Sequence, residues 1–273
     1  MKKILAFDID GTSINGRRRV SDETISVLKE VSNAGYYLVP TTGRCLDAIP
    51  SKMTRELSMD YAITSNGSRV TNLNTGEDSL LECIPHDTAA QIIRILQKNR
   101  VLVNIHVEGQ CYDQSYFVQN LRRIFFNNDF TAYPIIKDMA TYVEKNQIKV
   151  EKIQVFSFSR KQLERCVEDM RVIDSIAYPM SQKHYLEVTM DHANKGNALE
   201  HLAETLGVEM SAVVAVGDDT NDLAMFRVAG TTIAMGNAGE KLKEIADHVT
   251  DTHRREGFAK GLKEYVLNNK EGL

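Results

Sequence analysis

Lys3-Ile4-Leu5-Ala6-Phe7-Asp8-Ile9-Asp10-Gly11-Thr12 is the stretch that decides the architecture of this 273-residue chain. The apolar run from Ile4 to Phe7 has no turn former and reads as a buried strand of a parallel sheet. It ends in Asp8 and Asp10, followed by Gly11. Along a strand, residues i and i+2 project to one side, so the two carboxylates are expected to face one point at the sheet's edge. Gly11 permits a sharp turn that brings the backbone close to a ligand. Two buried like charges are unfavourable unless a cation sits between them or one stays protonated. A hydrophobic core has no use for that arrangement, whereas a metal site or an acid–nucleophile pair does.

Outward from this stretch, Asn15-Gly16 signals a hairpin with Val20 on its returning arm. Ser21 is placed to cap a helix with Ile25, Leu28 and Val31 on one face, ended by Gly35. A second strand, Tyr36 to Pro40, runs into Thr41-Thr42-Gly43-Arg44. Strand, helix, strand at this spacing is a βαβ unit, which binds ligands at the carboxyl ends of its strands. Thr42 is therefore expected at the same edge as Asp8. A third short strand, Tyr61 to Thr64, leads into Ser65-Asn66-Gly67, a turn that serves structure or substrate equally well.

Much later, Lys195-Gly196 opens a helix carrying Ala198, Leu199, Leu202 and Leu206, closed by Gly207. A cation at a helix start opposes the dipole, so helix propensity does not account for Lys195. The apolar strand Ala212 to Val216 ends in Gly217-Asp218-Asp219-Thr220-Asn221-Asp222. An acidic helix start would account for one of these aspartates and not for the set. The set needs a counter-charge, and all-oxygen donors suit Mg²⁺ rather than zinc.

From about Cys83 to Tyr185 the pattern changes to helices and antiparallel-looking strands: a helix after Asp87, Val101 to Val107, Ile153 to Phe158, Gln162 to Met170 and Lys183 to Val188. A helical stretch with Tyr116 and Leu121 is also expected, with Phe125 and Phe126 in the core. This reads as a separate α+β unit inserted into the first domain. The length suits one large or two moderate domains. Hydrophobic and charged fractions of 42% and 26% argue against disorder. A net charge of −4 implies no nucleic-acid partner, and Arg17-Arg18-Arg19 reads as a solvated hairpin. Cys45, Cys83, Cys111 and Cys166 lack paired spacing and read as reduced thiols. The apolar run before Asp8 is too short for a signal peptide, and no stretch is long enough to span a bilayer, so a cytoplasmic protein is expected.

Asp8-Ile9-Asp10-Gly11-Thr12 resembles the first motif of the haloacid dehalogenase superfamily. Thr42-Gly43-Arg44, Lys195 and Gly217 to Asp222 resemble its second, third and fourth motifs, in order. Ser65-Asn66-Gly67 and Met235-Gly236-Asn237-Ala238 are similar to segments of its Cof-type branch. Ser13 stands where leucine is usual, and Asn194 where serine often precedes the lysine. The resemblance implies a doubly wound, mostly parallel α/β core (1–82 and 186–273) with an inserted α+β cap of type IIB (83–185). It implies a Mg²⁺-dependent phosphatase in which Asp8 is the nucleophile, Asp10 the acid and base, and Thr42 and Lys195 the phosphoryl-oxygen ligands. Gly11, Gly43, Arg44, Asn66 and Asn221 are the further phosphate- or substrate-binding candidates. Metal ligation falls to Asp8, Asp218, Asp222 and, through its backbone carbonyl, Asp10. Expected partners are small phosphorylated metabolites, with no nucleic acid or membrane, and the chain is expected to be a monomer or weak homodimer. Sugar phosphates lead as substrates, with pyridoxal phosphate and flavin mononucleotide as alternatives. His106, Tyr112 and His184 are the cap residues that stand out chemically. A phosphomutase of the same superfamily and a phospho-aspartate regulatory protein are the rival readings.

Overall fold

Ile4, Leu5, Ala6 and Phe7 are fully buried, and the strand they form, β1 (Lys3–Phe7), has a parallel partner on each side. The computed structural model describes residues 2–17, 19–117, 119–120, 133–179 and 184–268. The chain divides into two compact units. One comprises Met1–Arg44, Ile49–Leu80 and Asn194–Leu273; the other comprises Cys45–Ala48 and Leu81–Ala193.

In the first unit, β1 leads through α1 (Asp22–Asn33) to β2 (Tyr36–Pro40). Ser21 caps α1 by accepting the Thr24 N–H at 3.0 Å, and Ile25, Val27, Leu28 and Val31 are buried. After α2 (Ser51–Glu56), β3 (Tyr61–Thr64) pairs antiparallel with β4 (Arg69–Asn72), which neighbours β5 (Asp78–Leu81). A parallel bridge from Thr41 to Ile63 ties β3 to the end of β2.

In the second unit, α3 (His86–Lys98), β6 (Leu102–Val107), β7 (Gln110–Asp113), α4 (Met139–Lys145), β8 (Lys152–Phe156), α5 (Arg160–Met170), β9 (Ile176–Ala177) and β10 (Tyr185–Met190) follow in order. The strands form a sheet in the order β7-β6-β8-β10-β9, with antiparallel neighbours. Alternation sorts its side chains. Val103, Ile105, Ile153, Val155, Leu186 and Val188 join Ile92, Ile93 and Leu96 of α3 and Leu163 and Cys166 of α5 in one apolar core. The intervening positions are polar, and Lys152 Nζ donates to Glu187 Oε1 at 2.8 Å with both side chains largely buried. Leu121, Phe125 and Phe126 lie outside the described residues.

The first unit resumes with α6 (Lys195–Leu206), β11 (Val213–Gly217), α7 (Leu223–Val228), β12 (Thr231–Ala234), α8 (Glu240–Lys243), β13 (His248–Val249) and α9 (Gly257–Leu262). Its main sheet has the order β13-β12-β11-β1-β2, and all the pairings are parallel. From β1 the chain goes first to β2 on one side and much later to β11 on the other. That reversal makes the carboxyl end of β1 a switch point, where open α/β sheets bind ligands. The return falls at Asn194 rather than at residue 186, because β10 completes the second unit's sheet by pairing Val188 with Ile153.

Candidate active site

The backbone carries the ladder just past the end of β1. Asp8 N–H donates to Val216 O at 2.9 Å, and Thr41 N–H donates to Phe7 O at 2.8 Å. The residues after β1, β2 and β11 are thereby held at one sheet edge. Asp8 is buried there, 5% exposed, and Lys195 at the start of α6 is 1% exposed. Lys195 Nζ donates to Asp8 Oδ1 at 2.7 Å and to Asp222 Oδ1 at 2.6 Å. Asn194 sets this helix start, since its Oδ1 accepts the N–H groups of Gly196 and Asn197 at 3.0 Å each. An asparagine therefore does the capping that a serine does elsewhere. Gly196 lets α6 approach α7: a Cβ there would lie 2.5 Å from Ala224 O.

Asp218 follows β11, and two side chains hold its carboxylate. Thr12 Oγ1 donates to Asp218 Oδ1 at 2.7 Å, and Asn237 Nδ2 donates to Asp218 Oδ2 at 3.0 Å and to Gly11 O at 2.9 Å. Gly11 has φ +81°, and a Cβ on it would lie 2.2 Å from Asp218 Oδ2. Glycine is required there on both counts. Asp222 Oδ2 accepts the backbone N–H groups of Asp218 and Asp219 at 2.8 and 3.0 Å.

Carboxylate oxygens of Asp8, Asp218 and Asp222 all lie within 4.8 Å of one another, a grouping found among the described residues. The electrostatics follow from burial. Asp8 is raised well above the usual carboxylate range by desolvation, opposed by Lys195 and reinforced by Asp222, Asp218 and Asp10. Asp218 is pushed up to about 7 by burial, with the Thr12 hydrogen bond pulling the other way and the Asp222 charge adding to the rise. Desolvation works against the charge of Lys195, but Asp222 and Asp8 outweigh it and hold the ammonium above its ordinary value. One ammonium faces three carboxylates, an excess that either a further cation or protons on the acids can balance. The donors are all oxygen, a set that fits Mg²⁺.

Asp10 departs from the strand-alternation expectation. The strand ends at Phe7, and Asp10 lies in the tight turn Ile9–Ser13 at φ −79°, ψ 118°. Its side chain is 59% exposed and lies outside the carboxylate cluster, although its charge is close enough to raise Asp8. Arg44 Nε donates to Asp10 Oδ2 at 2.7 Å and Arg44 Nη2 donates to Oδ1 at 2.8 Å. The arginine expected on phosphate thus clasps the second aspartate.

The other expected residues are knitted into the same edge. Thr42 is 1% exposed; its N–H donates to Ile63 O, and its Oγ1 accepts the Arg44 N–H at 3.2 Å. Gly43 lies between these two residues. Asn66, at φ +62°, donates its N–H to Thr42 O at 3.0 Å and accepts from Asn221 Nδ2 at 3.1 Å. Asn66 and Asn221 therefore join the loops after β3 and β11. In the second unit, His106 is buried on β6, Tyr112 packs partly against the apolar core, and His184 Nδ1 lies 3.0 Å from Ser157 O. Sequence reasoning missed Thr12 and Asn237 as anchors of Asp218. Both stood inside quoted motifs, but nothing local showed which aspartate they would hold.

A sequence profile of the haloacid dehalogenase-like hydrolases matches residues 5–262. The chain is 28% identical over 270 residues to a 5-amino-6-(5-phospho-D-ribitylamino)uracil phosphatase of Bacillus subtilis, covering 97% of this chain and 96% of that protein. It is 27% identical over 264 residues to a phosphoglycolate phosphatase of Methanothermobacter thermautotrophicus, covering 97% and 99%. Among solved structures, a haloacid dehalogenase-like hydrolase from B. subtilis superposes with a TM-score of 0.80 at 26% identity, covering 97% of this chain and all of that one.

Proposed function

The chain belongs to the haloacid dehalogenase-like hydrolases and is a phosphatase, and we propose that it hydrolyses small hydrophilic phosphate monoesters, sugar phosphates foremost, with Mg²⁺ and a phosphorylated Asp8. The observation that carries this reading is the buried Lys195, which joins Asp8 to Asp222 beside Asp218. Asp8 Oδ attacks phosphorus, and the bond to the leaving oxygen breaks. Asp10 donates a proton to that oxygen and then takes one from the water that cleaves the phospho-aspartate. Lys195 and the Thr42 hydroxyl bind phosphoryl oxygens where negative charge gathers. Asp8 and Asp218, with the backbone carbonyl of Asp10, would hold the cation, and Asp222 supports Asp218 and Lys195. When bound, Mg²⁺ supplies the positive charge that keeps Asp8 ionised and offsets repulsion between it and the phosphate.

Relatives named for a ribityl phosphate and for phosphoglycolate support a small, hydrophilic leaving group. The test is phosphate release from sugar phosphates, phosphoglycolate, pyridoxal phosphate, flavin mononucleotide and nucleotides, with Mg²⁺ and with chelator. Metal-dependent release is expected, lost in Asp8→Asn with the fold retained. Release that survives Asp8→Asn removes this residue as the nucleophile. Isomerisation of a sugar phosphate without free phosphate would identify a mutase instead.

A further inference from the structure

We propose that Arg44 is the positioning residue for Asp10, holding its carboxylate for the second half-reaction, in which phosphorylated Asp8 is hydrolysed. This rests on the phosphatase reading above. The two N–H groups of Arg44 engage both oxygens of Asp10, at 2.7 and 2.8 Å. A fork of this kind fixes the position and the plane of a carboxylate, which a lysine ammonium cannot do.

Asp10 needs such a partner. It lies beyond the end of β1, in a turn, with its side chain 59% exposed. Neither strand pairing nor burial selects its rotamer there. Arg44 is better held: its side chain is 20% exposed, its N–H donates to Thr42 Oγ1, and its carbonyl accepts the Ser65 N–H at 2.8 Å. The loop between β2 and β3 therefore presents the guanidinium to Asp10 as a fixed fork.

The half-reaction that uses a carboxylate at this position is the second one. Water loses a proton to Asp10 as its oxygen attacks the phosphorus of phospho-Asp8. The phosphorus–Oδ bond breaks, releasing inorganic phosphate and the Asp8 carboxylate. Asp10 then carries the proton that the next leaving oxygen takes up. Orienting the carboxylate form serves the water-activating step directly.

The experiment compares wild type, Arg44→Gln and Arg44→Lys with 4-nitrophenyl phosphate and Mg²⁺. That leaving group departs without protonation, so formation of phospho-Asp8 is spared and its breakdown is exposed. Both variants should release a burst of 4-nitrophenolate equal to the enzyme present. A steady state slowed about tenfold to a hundredfold should follow, with KM falling alongside kcat. Intact mass should show phosphorylated enzyme accumulating. Arg44→Gln added to Asp10→Asn should slow the steady state no further, since the two residues act as one. A raised KM with unchanged kcat and no burst would make Arg44 a phosphate-binding residue and overturn the proposal. An equal loss in the Asp10→Asn background would overturn it too. Wild-type phosphate release, measured first, decides the phosphatase reading separately.

Discussion

Both carboxylate oxygens of Asp222 are engaged by the protein, Oδ1 by Lys195 and Oδ2 by the N–H groups of Asp218 and Asp219. Asp218 is tethered differently, through the side chains of Thr12 and Asn237. On the proposed reading, the first of these carboxylates shapes the loop and holds the ammonium, and the second meets the cation. Asn237 is the sharper test of that division, because its amide also holds Gly11 O and its Oδ1 accepts the His253 N–H at 2.9 Å. Removing a residue that orients a metal ligand typically weakens metal affinity about 10- to 100-fold. Asn237→Ala should therefore need correspondingly more Mg²⁺, both for activity and for the thermal shift that Mg²⁺ produces. An unchanged Mg²⁺ requirement would show that Asp218 is held without it.

Helix α6 links chemistry to local structure. Its first residue is the buried Lys195, and its cap is Asn194, so fraying of this turn would move the ammonium directly. Losing a cap of this type costs about 1 kcal/mol. Asn194→Ala should lower stability by about that amount in a denaturant titration. It should also reduce kcat more than it raises KM, because Lys195 is wanted most where charge develops. Asn194→Ser restores a capping oxygen and should recover both quantities; failure of that rescue would count against the cap. Elsewhere local signals were only partly right. The helix that Asp87 is expected to cap begins at His86, with Pro85 at its cap and Asp87 inside its first turn.

For the whole molecule, a buried acidic cluster makes metal-free stability depend on pH. Asp218 rises to about 7 in the folded protein, against about 3.9 in an unfolded chain. Between those values the folded state binds the extra proton, so stability falls as pH rises from about 4 to 7 and stays low above that. Asp8, also raised, acts with the same sign. Asp22 and Asp251, held low by hydrogen bonds with Lys52 and Lys260, lose their contributions only at more acidic pH. Metal-free wild type should thus melt on the order of a few degrees lower at pH 8 than at pH 5. The difference should shrink in Asp218→Asn, and Mg²⁺ should restore the wild type at pH 8. Equal pH slopes in wild type and Asp218→Asn would sink this account.

The apolar runs before Asp8 and Asp218, the βαβ spacing and the helix punctuation were enough to determine the parallel sheet and the residues at its carboxyl edge. These are short-range signals: side-chain period, caps and turn formers act within a few residues, and topology then gathers the strand ends together. What each polar side chain touches was settled only by the tertiary structure. Strand alternation put Asp8 and Asp10 on one face, but the ladder ends at the Asp8 N–H and the chain turns from Ile9, so one aspartate is buried against Lys195 and the other is clasped by Arg44. Thr12 and Asn237 converge on Asp218 from 206 and 19 residues away along the chain. Contacts between residues so far apart depend on where the folded backbone carries them, and no local pattern encodes that.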